Sequence, residues 1–216
     1  MSIRVQLTTS KKQAQAMLNG DITDYLNRKI GRNYSRVVNS LRQKIPMWIR
    51  SQPEIQSLLD QGVPGSLNAV FGLYNGDAAR AVSDIIQAIK QSTAITINKI
   101  NNKYQGDIEF NFQADNFANL LALNSGHVKV VPGPFDKNEA DLHWLEWLLT
   151  RGDTIIIVGY TYRPGADGRS EGGIMTRGIS FRVPPQYSGR LENNFITRAF
   201  SNRESEIQNI VKRLFE

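Results

Sequence analysis

The sequence contains no cysteine and only two histidines, His127 and His143. The absence of cysteine excludes a disulfide scaffold, cysteine catalysis, iron–sulfur clusters and thiolate zinc sites. With two histidines, a site built from several imidazoles is a poor candidate, so we predict no metal and no cofactor. No run of eighteen apolar residues occurs, so we expect no membrane span. The N-terminus lacks the apolar stretch of a secretory signal, and we therefore expect assembly in the cytoplasm.

The sequence does contain enough apolar material for one domain of ordinary size. Of its 216 residues, 40% are hydrophobic and 9% are aromatic, which argues against wholesale disorder. The length predicts a single domain over residues 1–216 with a sizeable core. No internal repeat and no low-complexity linker divides the chain.

Positive charge is concentrated in the first fifty residues. They hold ten Lys or Arg against two Asp, a net charge of +8, whereas the whole chain carries +6. Such asymmetry indicates a partner surface, and nucleic acid is one such partner, because Lys and Arg release counterions from phosphates. The plainer interpretation is the solvated face of a helix, since the segment carries no named nucleic-acid-binding motif.

The helical pattern is clearest near the N-terminus. Apolar residues recur every three or four positions from residue 13 to residue 49, which predicts one long helix with a single apolar stripe. Pro46 should kink or end this helix, because proline removes a backbone hydrogen bond. Further helices are predicted over residues 53–61, 66–73, 77–91 and 115–123, from Asn138 or Asp141 to Leu149, and from Glu192 to Phe215.

Two pairs of segments have the pattern of hairpins. Residues 94–97 and 108–112 alternate polar and apolar side chains on either side of a polar stretch. Residues 154–162, with the continuous apolar run Ile155–Val158, return as the strand 173–183. Because hairpins pair antiparallel, the fold class is α+β. We predict a small antiparallel sheet built from two hairpins, packed with a long N-terminal helix, short middle helices and a C-terminal helix.

Two segments are predicted to be irregular. The loop 163–173, RPGADGRSEGG, has four glycines and no apolar side chain beyond Ala166, which predicts a long flexible hairpin tip. Residues 1–12 have no helical stripe and little apolar content, so we predict an extended N-terminal arm. Residues 127–131 are the candidate for a third, short strand.

One histidine stands among carboxylates. His143 lies near Glu139, Asp141 and Glu146, as acid–base or metal-binding groups do. The string HWLEW is not HExxH, however, and the pair His143 and Glu146 supplies two ligands at best. Packing beside two tryptophans is the more ordinary role of such a histidine, and we assign no metal ligand.

Other signatures of catalysis are absent or dispersed. The glycine-rich loop joins two strands and has no GK[ST], so it is not a phosphate-binding loop. No serine lies in GxSxG, so no nucleophile is assigned. A hydrolase or nuclease with a dispersed acidic site is left as an alternative, with Asp153, Asp167 and Glu171 as its carboxylates. We predict that the chain is not an enzyme and has no catalytic residue.

The C-terminal third carries a more specific pattern. It combines a WLEWLL-x-RGD helix and turn, an apolar strand, a GRS-x-x-GIM loop, an RVPP-x-x-(A/S)G element and a helix that starts NFITRA. Over roughly residues 140–200 this pattern resembles a family of tailed-bacteriophage virion proteins, the neck or tail-completion proteins, similar in layout to the HK97 gene-10-like and lambda minor-tail-protein-Z-like groups. The first 130 residues match only in layout, as helices ahead of a small sheet.

The resemblance implies a structural virion protein without catalytic residues. It would form a homo-oligomeric ring in the neck, the head–tail connector region, or at the top of the tail, and complete head–tail joining. Its partners would be neighbouring connector, tail-terminator, tube or sheath proteins, with non-specific contact to genomic DNA in the channel and no membrane. The alternative is a non-specific nucleic-acid-binding module that uses the basic first fifty residues. The interface candidates are Arg4, Lys11, Lys12, Arg163, Arg169 and Glu171.

Overall fold

The computed structural model describes residues 10–74, 76–101, 103–112, 117–130 and 140–213. Contacts divide the chain into two compact units. The first consists of Met1–Gln43, Ala94–Asn111 and Glu204–Glu216, and the second of Lys44–Thr93 and Phe112–Arg203. The single domain over residues 1–216 stays a prediction, because a division by contacts does not decide whether two units unfold together.

The described residues contain both helices and strands. No helix in this part of the chain has the length and apolar character needed to cross a lipid bilayer. In chain order the elements are α1 (Lys11–Arg50), α2 (Pro53–Leu59), α3 (Leu67–Phe71), α4 (Asp77–Ser92), β1 (Thr93–Ile97), β2 (Ile108–Phe112), α5 (Ala118–Leu121), β3 (Val128–Val130), β4 (Ala140–Leu142), α6 (Leu145–Leu149), β5 (Ile157–Pro164), β6 (Gly173–Phe181), α7 (Phe195–Phe200) and α8 (Glu204–Lys212).

Helix α1 starts earlier than its apolar stripe. The Ser10 hydroxyl accepts a hydrogen bond from the Gln13 backbone N–H, and the Gln13 side chain accepts one from the Ser10 N–H, both at 3.2 Å. This reciprocal capping box satisfies two backbone donors at the helix start. Lys11 and Lys12 are therefore helical, which corrects the extended arm for those two residues, and residues 1–9 lie outside the described residues.

The apolar stripe of α1 runs from exposed to buried. Pro46 lies inside the helix and does not end it, since the helix continues to Arg50. Apolar residues near the N-terminal end are exposed, namely Met17, Leu18, Ile22 and Tyr25. Those in the C-terminal half are buried, namely Ile30, Val37, Val38, Leu41, Ile45, Trp48 and Ile49.

In the first unit, two polar side chains of α1 hold the β1–β2 region. The Asn27 amide donates to the Ile100 carbonyl at 2.9 Å and accepts from the Ile100 N–H at 2.8 Å. The Tyr34 hydroxyl donates to the Ile95 carbonyl at 3.1 Å. These bonds give hydrogen-bond partners to the Ile95 carbonyl and to both backbone groups of Ile100.

The core of the second unit is mainly helical. The amphipathic helix α4 buries one face, and the ring of Phe71 in α3 contacts Trp144 with 5.3 Å between centroids. The ring of Trp48 meets Phe200 edge-on at 5.7 Å. The apolar residues that α4 buries are Ala78, Ala81, Val82, Ile85, Ile86 and Ile89.

The strands confirm the α+β class. The described residues form three two-stranded sheets, β1–β2, β3–β4 and β5–β6, so the hairpins do not merge into one sheet. Strand β4 pairs antiparallel with β3 over Ala140–Leu142, where the sequence predicted the start of a helix. Pairing with β3 overrides the helical spacing, and α6 begins only at Leu145.

The C-terminal helix is interrupted, which corrects the continuous helix predicted from Glu192 to Phe215. Asn194 caps α7: its side chain accepts from the N–H groups of Ile196 and Thr197, and the Thr197 hydroxyl accepts from the Asn194 N–H. After Phe200 the chain turns through Asn202, whose φ of 58° is left-handed. Asparagine tolerates this conformation, which ends one helix and lets α8 begin at Glu204.

Candidate functional site

The β5–β6 hairpin of the second unit exposes much of its length to solvent. Ile157 pairs with Phe181 at its base and Pro164 with Gly173 at its tip, with a register shift between Val158 and Tyr160. Phe181 is buried, but Arg177, Gly178 and Ile179 of β6 are exposed. The sequence predicted a strand over residues 154–162 that contains the apolar run Ile155–Val158, yet β5 begins at Ile157 and Val158 is 76% exposed.

Exposed apolar side chains flank this register shift. Ile179 of β6 is 87% exposed, and Val158 and Ile155 are exposed on the other strand and just before it. An isolated two-stranded hairpin is only marginally stable in water, and unpaired strand edges are templates for another chain. Among the described residues, this hairpin is therefore the strongest candidate for a contact surface.

The loop at the hairpin tip is held by its own chain. Ser170 is buried, and its hydroxyl lies 3.5 Å from the Ala69 carbonyl of α3. The Tyr162 hydroxyl donates to the Gly172 carbonyl at 2.7 Å and accepts from the Gly65 N–H at 2.9 Å. The sequence suggested no internal anchor for residues 163–173, because it offered no apolar side chain for one. Hydrogen bonds and close backbone packing provide the anchor instead.

The structure separates the predicted interface residues. Arg163 lies on β5 opposite Ile174, whereas Arg169 lies over the Tyr74 ring, with 5.0 Å from its guanidinium carbon to the ring centroid. Glu171 is exposed at a left-handed φ of 56°. These three residues share one hairpin and its tip. Lys11 and Lys12 lie in the first unit at the start of α1, and Arg4 lies outside the described residues.

A cleft adjoins the hairpin in the second unit. It has a volume of about 780 Å³ and lies between α3, the β3–β4 pair and the hairpin. Phe71, Tyr74, Tyr162 and Arg169 line it together with His127. Its wall is aromatic with a few polar groups, which is the usual character of a surface that recognises a ligand or a segment of chain.

Sequence reasoning missed a cluster of possible metal ligands. His127, Asp141 and His143 each place a ligand atom within 4.8 Å of the other two, and no other such group of three occurs in the described part of the chain. Asp153, Asp167 and Glu171 form no comparable group there. His127 lies just before β3 and His143 just after β4. The antiparallel register of the two strands places these histidines opposite each other, and this position is the signal that sequence reasoning missed.

Part of the basic charge of the first fifty residues forms a stripe. Arg28, Arg32 and Arg36 are exposed on α1. Their spacing of four residues puts them on one helix face, about 6 Å apart along the axis. Like charges at this spacing destabilise a helix slightly, and an anionic partner would remove that cost.

Comparison with protein-family models, with curated proteins and with solved structures gives no match in any of the three.

Proposed function

We propose that the chain is a structural virion protein of a tailed bacteriophage. It forms a homo-oligomeric ring in the neck or at the top of the tail and completes head–tail joining. The proposal starts from the resemblance of roughly residues 140–200 to neck and tail-completion proteins. It assigns no catalytic residue, and it places assembly of the ring in the host cytoplasm and the finished ring in the virion.

The observation that carries the proposal is the exposed β5–β6 hairpin. Val158 and Ile179 are 76% and 87% exposed in the single chain. Burying such side chains against a neighbouring copy removes apolar surface from water and covers the unpaired strand edges. In a ring, each subunit contacts the next through two different surfaces. The hairpin can therefore pack on a surface of the neighbouring copy other than that copy's own hairpin.

Two further features support an assembling subunit. The N-terminal part of α1 exposes Met17, Leu18, Ile22 and Tyr25, and such apolar groups on a monomer commonly mark an interaction surface. The arginine stripe of the same helix suits non-specific contact with the phosphates of DNA passing through a ring.

The test is self-association of variants that change only the hairpin surface. Val158→Thr keeps the shape and strand preference of valine but makes the exposed side chain polar. Val63→Thr is the matched control, because Val63 is exposed in the connection between α2 and α3 and belongs to neither strand of the hairpin. We expect Val158→Thr to weaken association by roughly 1 kcal/mol per interface, about fivefold.

Sedimentation velocity over a range of concentrations measures this difference. The wild-type chain and Val63→Thr should associate alike, and Val158→Thr should need higher concentrations. Equal association of all three proteins would exclude the hairpin as the contact surface. A wild-type monomer that binds duplex DNA with a steep salt dependence would instead favour the nucleic-acid-binding alternative.

A further inference from the structure

The two histidines of the chain meet across the β3–β4 pair. Val128 pairs with Leu142, so the register continues outward to place His127 opposite His143. Their rings lie close together at a tilt of 33°, with 3.8 Å between centroids. Asp141 lies two residues before His143, and residues two apart point to the same face of a strand. Three potential ligands therefore share one face.

The distances between the ligand atoms suit a single small cation. Nδ1 of His127 lies 3.1 Å from Oδ2 of Asp141, and Nε2 of His143 lies 3.6 Å from the same oxygen. In a tetrahedral zinc site with bonds of about 2.0–2.1 Å, neighbouring ligand atoms are about 3.4 Å apart. These two separations are close to that value, and the ligand atoms of all three residues lie within 4.8 Å of one another.

A second contact of His127 distinguishes the two nitrogens of its neutral ring. Nε2 of His127 lies 3.1 Å from the Leu121 carbonyl oxygen. A carbonyl only accepts hydrogen bonds, so Nε2 carries the proton in the neutral ring. In that tautomer, Nδ1 has a lone pair that faces the Asp141 carboxylate. Two electron-rich groups at this distance repel each other unless a cation, either a proton or a metal ion, lies between them. Metal-bound histidines commonly donate their other N–H to a backbone carbonyl in this way.

We propose that His127, Asp141 and His143 bind one divalent first-row transition-metal ion of the Zn²⁺ class. The ligands are Nδ1 of His127, Oδ2 of Asp141 and Nε2 of His143. Two imidazoles favour such an ion over Mg²⁺ or Ca²⁺, which take oxygen ligands. The side chains of Asp141 and His143 are 51% and 42% exposed, so an ion enters from solvent and keeps a position for water.

The ion would act on a weak part of the fold. Strands β3 and β4 have three residues each, which is too short for a stable hairpin on its own. A metal ion held by ligands from both strands binds the paired strands but not the separated ones. It therefore stabilises the pairing of β3 with β4. The site also lies beside the cleft, since His127 lines both. This inference does not depend on the proposed ring.

The chain offers a direct measurement because both of its histidines lie in the cluster. A long-range ¹H–¹⁵N spectrum of the metal-free protein, titrated with Zn²⁺, reports only these two imidazoles. We expect Nδ1 of His127 and Nε2 of His143 to shift together and to saturate at one equivalent. Unchanged imidazole resonances at saturating Zn²⁺ would overturn the proposal and leave the cluster as a hydrogen-bonded network.

Variants locate the ion independently of the spectrum. His143→Gln and Asp141→Asn each remove one ligand, and Asp60→Asn changes an exposed carboxylate elsewhere. Removing a residue that only supports a metal ligand typically weakens metal binding 10–100-fold. Removing a ligand itself should therefore lower the Zn²⁺ affinity at least about tenfold. Calorimetric titration should find Asp60→Asn unchanged. Equal affinity in all four proteins would show that Zn²⁺ binds elsewhere and would contradict the assignment.

Discussion

Glu54 in α2 is a buried carboxyl that contacts an arginine. Its side chain is 1% exposed, and the guanidinium of Arg198 in α7 contacts its Oε1. Burial raises the pKa of Glu54 above its ordinary value of 4.5. The free-energy cost of removing the carboxylate from water exceeds the stabilisation of its charge by the backbone N–H of Glu54 and by Arg198. A buried ion pair of this kind is a weak source of stability, although breaking it is costly.

This shift has a defined effect on the pH dependence of stability. Between the ordinary and the raised pKa of Glu54, the folded chain holds a proton that the unfolded chain has lost. The contribution of Glu54 is therefore most favourable at low pH and is lost as the pH rises through the raised pKa. We expect the free energy of unfolding of the wild-type protein, relative to Glu54→Gln, to fall as the pH rises above 4.5.

Urea unfolding at a series of pH values measures that difference. Glu192→Gln, at an exposed carboxylate, is the matched control and should follow the wild-type profile. A difference between the wild-type protein and Glu54→Gln that stays constant with pH, or rises with it, would contradict the raised pKa.

At the scale of elements, the loop between β5 and β6 is shaped by close packing against α3. A Cβ atom on Gly172 would clash with the Cβ of Ala69 and lie 3.0 Å from the Val63 carbonyl oxygen. In the same loop, a Cβ atom on Gly165 would meet no other atom within 4 Å, and the φ of Gly165 is not left-handed. The loop is therefore tight at one glycine and open at the other.

This contrast predicts different effects of one substitution at two positions. Gly172→Ala forces the loop away from α3 and should reduce the free energy of unfolding by about 1–3 kcal/mol. Gly165→Ala should leave it unchanged or raise it by a few tenths, because alanine restricts the unfolded chain. Thermal and urea unfolding compare the two variants. Equal stabilities would mean that the loop does not pack on its own chain as described.

The sequence predicted those elements whose determinants are local. The apolar spacing of α1, the turn residues between β5 and β6, and the fold class all follow from residues close together in the chain. Strand β4 did not, because its three residues, Ala140–Leu142, continue the spacing of α6 and become a strand only by pairing with β3. The break between α7 and α8 was also hidden, since the left-handed Asn202 leaves the apolar spacing on either side intact.

The candidate sites show the same division between local and distant determinants. The hairpin was predicted, but the exposure of Val158 was not, because a run of four β-branched residues usually marks a buried strand. The histidine cluster could not be predicted because His127 and His143 lie sixteen residues apart, and the spacing of residues near His143 offers it only Glu139, Asp141 and Glu146 as partners. Antiparallel pairing, which a single sequence does not reveal, brings them together.

At the scale of the whole molecule, a single chain leaves apolar surfaces uncovered in both units. The exposed apolar residues at the N-terminal end of α1 lie in the first unit, and those of the β5–β6 hairpin lie in the second. A chain with a sizeable buried core does not need to expose these groups for its own stability. Their exposure is reasonable if copies of the chain cover them, as in the proposed ring.

Electron microscopy of the purified chain, at concentrations where sedimentation shows association, tests this central claim most directly. A ring gives class averages with one rotational symmetry and an open centre, because repeated head-to-tail contacts close on themselves. We expect such closed particles for the wild-type chain and fewer of them for Val158→Thr. Monomers at every concentration, or open filaments without closure, would contradict the proposed ring.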